Sequence, residues 1–216
     1  MQTYRGVDVR RTLEEVCDPT RLALLVYDMQ VGVVGQIADH ERVSARVAEL
    51  LGSARAAGVR TVFTRHLSLP LEWTGASGLR TAMAWQATDD VDKLVSAFPS
   101  EAPQSRLVDA AQPQPGELVV EKYAMSAFVG TPLDFVFRDV GIEAFAIVGV
   151  ALEVGIEPTI RHGLDLGYLP VLVTDACGYG NADAAARSRE QLAWFGGSIQ
   201  TDTATLAGLL AAPSRP

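Results

Sequence analysis

The chain has 216 residues, 48% of them hydrophobic, a formal net charge of −8 and two cysteines. That size and apolar fraction suit one domain with a substantial core. The acidity argues against nucleic acid or an anionic membrane as partner, since both reward clustered Lys and Arg. Cys17 and Cys177 are too few for a disulfide framework or a four-ligand zinc site, and no apolar run reaches the ~20 residues that cross a bilayer. The opening MQTYRGVDVRRTLEE has no apolar stretch of the signal-peptide kind, so a cytoplasmic protein is expected.

Residues 1–20 read as a lead-in with one short helix, Val9 to Val16, closed by Asp18-Pro19. Leu22–Tyr27 (LALLVY) is apolar throughout, as a central parallel strand buried on both faces requires. It ends at Asp28. Over residues 39–57, Val43, Val47, Leu50, Leu51 and Ala54 recur at helical spacing, and Gly58 is placed to stop that helix. Thr61–Thr64 is a second strand. Residues 65–115 carry His66, Trp73, Trp85 and Gln86 among Pro and Gly with little regular pattern, which predicts a functional insertion on the substrate side. After the linker AQPQPG (Ala111–Gly116), Glu117–Glu121 is a third strand ending at Lys122. Pro132–Val140 reads as a helix with Thr131 as N-cap. Ala144–Val148 is the fourth strand, 157–166 a helix, Tyr168–Thr174 the fifth strand and Ala182–Phe195 a helix. Ser198–Gln200 is a last strand and Thr203–Leu210 a last helix.

Strands alternating with helices across short turns predict an α/β three-layer, Rossmann-like sandwich with a mostly parallel six-stranded sheet, one domain over 1–216. Such a sheet gathers the carboxyl ends of its strands along one edge. Asp28, Lys122, the 149–155 turn and Asp175 all fall at such ends. Asp28 either caps a turn or exchanges protons, and Lys122 is either a rim lysine or its partner. Together, on strand ends read as neighbouring, they can perturb each other's titration. Trp73 and Trp85 either grip a flat apolar substrate or pack a loop or subunit interface. Glu153 and Glu157 either suit a helix N-terminus or place a second carboxylate near Asp28. By strand alternation, Tyr27 points away from Asp28. No GxGxxG or GxxxxGK[ST] phosphate loop is present.

Four segments carry a specific resemblance: LLVYDMQ at 24–30, EKYAMSAFVGTPLD at 121–134, GVALEVGIEPTIRHGLDLGY at 149–168 and VLVTDA at 171–176. In order and spacing they resemble the isochorismatase-like hydrolase superfamily, from residue 21 to about 200. The usual catalytic set there is Asp, Lys and Cys. The resemblance puts Asp28 and Lys122 in the first two places. The run Lys122, Ser126, Ala127, Phe128 is like the isochorismatases themselves. A cis peptide is implied at Val150–Ala151, with the Ala151 and Gly155 N–H groups as oxyanion donors.

Gly155 stands where the thiol branch has Cys, and a thioester route needs that sulfur. The chain is therefore similar to the Cys-free branch, which cleaves a vinyl ether by protonation and water capture. This implies Asp28, Lys122 and Gly155 as the catalytic positions. Ala151, Trp73, Trp85, Gln86, Phe128, Glu153 and His66 are expected to bind substrate. No metal and no cofactor are expected; the partner is a small molecule, and the protein is a homo-oligomer, dimer or tetramer, with Leu206, Leu209 and Leu210 as candidate interface residues. Rival readings are C–N hydrolysis by Asp28-activated water and a non-catalytic ligand-binding member.

Overall fold

The computed structural model describes residues 1–212. It begins with a hairpin of β1 (Gln2–Tyr4) and β2 (Val7–Val9), then α1 (Leu13–Val16). The expected Val9–Val16 helix is thus confined to its second half. Arg5 and Gly6 both adopt positive φ, 51° and 81°, and a turn of that kind matches the twist of paired strands. Thr12 caps what remains of the helix by accepting from the Glu15 N–H.

Six strands form the main sheet: β3 (Leu22–Tyr27), β4 (Arg60–His66), β5 (Leu118–Lys122), β6 (Ala144–Val150), β7 (Leu169–Gly178) and β8 (Ile199–Thr201). Their order is β5-β4-β3-β6-β7-β8 and every pairing is parallel. The chain moves outward from β3 through β4 to β5, then returns to the other side of β3 as β6. The order therefore reverses between β3 and β6, where their carboxyl ends leave a crevice.

Helices cover both faces. Along β3, Leu22, Leu24 and Val26 join one core, with α2 (Val31–Val34), α3 (His40–Ala56) and α8 (Thr203–Ala211). Ala23, Leu25 and Tyr27 join the other, with α5 (Leu133–Asp139), α6 (Glu157–Asp165) and α7 (Ala182–Phe195). This period of two places successive residues in opposite layers. Val43, Val47, Leu50, Leu51 and Ala54 are all buried, and each of the leucines contributes about 1.5–3 kcal/mol by leaving water. Leu206 and Leu210 are buried in the first core, so they are not free for a subunit interface.

Two further departures bear on the site. The insertion contains a helix, α4 (Ala76–Trp85), none of whose residues is buried. Its Ala, Gly and Ser positions leave no apolar stripe to read. Strand β7 continues through Asp175 to Gly178 instead of stopping. The Asp175 carboxylate accepts from Thr203 N and Thr203 Oγ1, which ties it to the first residue of α8.

Candidate active site

At Asp28 the chain leaves β3 with φ +46°, a left-handed conformation that Asp tolerates better than most side chains. Thr64 on β4 holds it there. The Asp28 N–H donates to Thr64 Oγ1 at 3.0 Å, and the Thr64 hydroxyl donates to Asp28 Oδ1 at 2.5 Å. Lys122 ends β5, and β4 lies between it and β3, so the two strand ends are not neighbours as expected. Two inter-strand spacings amount to about 9–10 Å, a gap that a lysine chain crosses. Its Nζ lies 2.7 Å from Asp28 Oδ2 and donates to the Ala124 carbonyl at 3.1 Å. Burial lowers the Lys122 pKa below its ordinary value, while the Asp28 charge opposes that shift.

His66 stands at the end of β4 beside this pair, in register with Lys122. Gln30 clamps its backbone: His66 N–H donates to Gln30 Oε1 at 2.7 Å, and Gln30 Nε2 donates to the His66 carbonyl at 3.0 Å. The ring meets Phe98 edge-on, and its buried Nδ1 has no partner among the described residues. Burial first, then the Lys122 charge, lowers its pKa, so the imidazole is neutral at neutral pH.

The turn after β6 is a single π-type turn, Leu152–Ile156. The Val150–Ala151 peptide is cis, at the position the resemblance implies. The N–H groups of Val154, Gly155 and Ile156 all donate to the Ala151 carbonyl, at 3.3, 3.0 and 3.2 Å. The Gly155 N–H is thus committed within the turn and is not the free oxyanion donor expected of it. Gly149 precedes the turn at φ +120°, where a side chain would collide with the Tyr27 carbonyl.

The alternation argument fails at Asp28. Tyr27 keeps the layer of Ala23 and Leu25, but Asp28 turns left-handed, so the two line one cleft and do not point apart. The Tyr27 hydroxyl donates to the Met125 carbonyl, and Lys122 Nζ lies over the Tyr27 ring, 4.4 Å from the centroid. A Cβ built on Gly155 would overlap the Tyr27 hydroxyl oxygen.

Asp28, Tyr27, His66, Trp85, Ala151 and Gly155 share the wall of one cleft of about 310 Å³. Lys122 lies beneath it, out of solvent. Trp73 and Gln86 belong to an adjoining cleft of about 350 Å³, which shares His66, Trp85, Phe98 and Met125 with the first. The Gln86 amide is bound to the Val95 backbone through both ends. Two expected substrate contacts lie elsewhere. Phe128 is stacked on Tyr168 and packed edge-on to Phe137 and Phe145 in the core, because the chain after Lys122 dives under α6. Glu153 accepts from the Gly180 and Asn181 N–H groups, at 2.8 and 2.7 Å, and so ties the turn to the start of α7. Glu157 is likewise engaged, by Ser188 and Arg161. Thr64, Gln30 and Met125 cannot be read from the sequence as site residues, because their roles depend on inter-strand register and loop path.

Over residues 22–204 the sequence matches the isochorismatase domain, and the chain belongs to this family of hydrolases. It is 29% identical over 177 residues to the ureidoacrylate amidohydrolase RutB of Pantoea ananatis, spanning 73% of this chain and 69% of that one. The protein of the same name from Methylobacterium radiotolerans is 26% identical over 219 residues, 92% and 83% of the two chains. A cysteine hydrolase from Pseudomonas syringae pv. phaseolicola shares the fold, with a TM-score of 0.77 at 24% identity over 90% and 94%.

Proposed function

We propose that this hydrolase cleaves a small organic substrate of the enol-ether type, with Asp28 as acid and base and with no covalent enzyme intermediate. The observation that carries the reading is the 2.7 Å Asp28–Lys122 pair at a cleft where residue 155 has no side chain. Cys177 does not replace the missing thiol. It is buried in the core, and that burial pushes its pKa up, which keeps it from forming a thiolate.

The pair can hold one transferable proton, because burial makes the Lys122 ammonium a readier donor than an ordinary lysine. With that proton on Asp28, the carboxyl group protonates the terminal enol carbon and the ether oxygen stabilises the cation that forms. Water adds to the neighbouring carbon, the one that bears the ether oxygen, and gives a proton to Asp28. The resulting hemiketal breaks its C–O bond to give an alcohol and a carbonyl compound. Lys122 thus lends the proton, and takes it back once Asp28 has regained one from water, which restores the ion pair.

C–N hydrolysis is the second reading, favoured by the name that both RutB relatives carry. There Asp28 takes a proton from water as it attacks the carbonyl, then returns it to the departing nitrogen. Assays with isochorismate and with ureidoacrylate separate the two. Turnover of isochorismate that Asp28→Asn abolishes is the expected result. Turnover of ureidoacrylate alone selects the C–N reading, and turnover unaffected by Asp28→Asn removes both.

A further inference from the structure

Either route needs a nucleophile, and residue 155 supplies none. Tyr27 occupies that place: its hydroxyl oxygen fills the position that a Gly155 side chain would take, on the cleft wall it shares with Asp28. The hydroxyl proton is engaged by the Met125 carbonyl, so the oxygen has only lone pairs to offer a ligand. The Lys122 ammonium over the ring face fixes the ring's position. Burial first, then the Asp28 charge, pushes the phenol well above its ordinary pKa, so it remains a neutral hydroxyl and does not attack as phenolate.

We propose that Tyr27 holds the attacking water. The water donates one hydrogen bond to the Tyr27 hydroxyl oxygen and gives its other proton to the Asp28 carboxylate as its oxygen bonds to the substrate carbon. Tyr27 itself neither gains nor loses a proton. A water held beside that oxygen thereby takes the part that a side-chain nucleophile at residue 155 would play. The inference rests on the proposed function and names the group that makes a non-covalent route workable at this site.

The test uses the full chain, isochorismate and ureidoacrylate as probes, and buffer with and without methanol. Tyr27→Phe keeps the ring and its lysine contact but removes the acceptor. The expected result is a kcat lowered about 100-fold by loss of water positioning, with KM held and Tm lowered only by loss of the Met125 hydrogen bond. The share of methanol adduct among the products should rise, because water loses its privileged place. A purely structural role for Tyr27 leaves that share unchanged.

Tyr27→Phe with wild-type turnover and partition, beside an inactive Asp28→Asn, overturns the Tyr27 inference and leaves the proposed function standing. Equal rates in all three proteins, or no wild-type turnover of either probe, overturns both. If Tyr27→Phe does not fold, meta-fluorotyrosine at this position decides. Its oxygen is a poorer acceptor, so kcat should fall and the methanol share rise, whereas unchanged values overturn the inference.

Discussion

Lys122 Nζ and Asp28 Oδ2 lie 2.7 Å apart, with the lysine side chain wholly out of solvent and the carboxylate nearly so. Each charge is tolerable there because the other is present. Removing one partner leaves an uncompensated buried charge, at a cost of about 3–5 kcal/mol, whereas removing both together is often close to neutral. Lys122→Met and Asp28→Asn should therefore each lower stability strongly, and the double variant should recover most of the loss. Urea unfolding of the four proteins measures this coupling, and additive losses would contradict it.

The same lysine predicts a pH dependence. Its folded pKa lies below the ordinary 10.5, with burial as the main cause. Between those two values the unfolded chain binds more protons at this site than the folded one, so stability from this group rises with pH. Below the folded pKa both states are protonated and the cost of burying the ammonium is fully present. The stability of wild type relative to Lys122→Met should thus increase as pH climbs toward 10.5, read from unfolding curves across the alkaline range. A flat difference would mean that Lys122 titrates as it does in the unfolded chain.

What the sequence made legible follows from local periodicity. The six strands of the sheet and the two ends that carry Asp28 and Lys122 could be read because apolar runs and their polar stops are properties of consecutive residues. Strand order is not such a property, so Asp28 and Lys122 read as neighbours although β4 lies between their strands. Thr64 was visible only as the end of a strand, since its bond to Asp28 depends on β3–β4 register. Tyr27 keeps the layer that alternation gives it, and it is Asp28, at its left-handed turn, that leaves the strand pattern and meets Tyr27 at one cleft. Phe128 has the composition of a pocket wall but is turned inward by the path of the loop after Lys122.

His66 offers a separate test. Its ring borders both clefts, so the imidazole edge is placed to meet a polar atom of the substrate. His66→Phe should retain the packing against Phe98 and the fold. Loss of one hydrogen bond of about 1.5 kcal/mol should raise KM roughly tenfold, with a smaller change in kcat. Because the His66 pKa lies below its ordinary 6.5, substrate affinity should hold as pH falls through 6.5 and decline only once the imidazole protonates. Steady-state kinetics across the acid range, for wild type and variant, checks both statements.

Gly155→Cys asks whether a thiol fits at this place. A β-carbon at 155 would occupy the space of the Tyr27 hydroxyl oxygen, and that oxygen is tied to the Met125 backbone, so the ring cannot easily withdraw. Overpacking of a filled site costs typically about 1–3 kcal/mol. The single variant should therefore lose stability, and its new thiol should resist alkylation by iodoacetamide, followed peptide by peptide in mass spectrometry. Combining Gly155→Cys with Tyr27→Val opens the space. The double variant should regain stability relative to Gly155→Cys and expose a thiol that alkylates readily beside Asp28. A single Gly155→Cys variant as stable as wild type, with a freely reactive sulfur, would show that Tyr27 does not hold that position in solution.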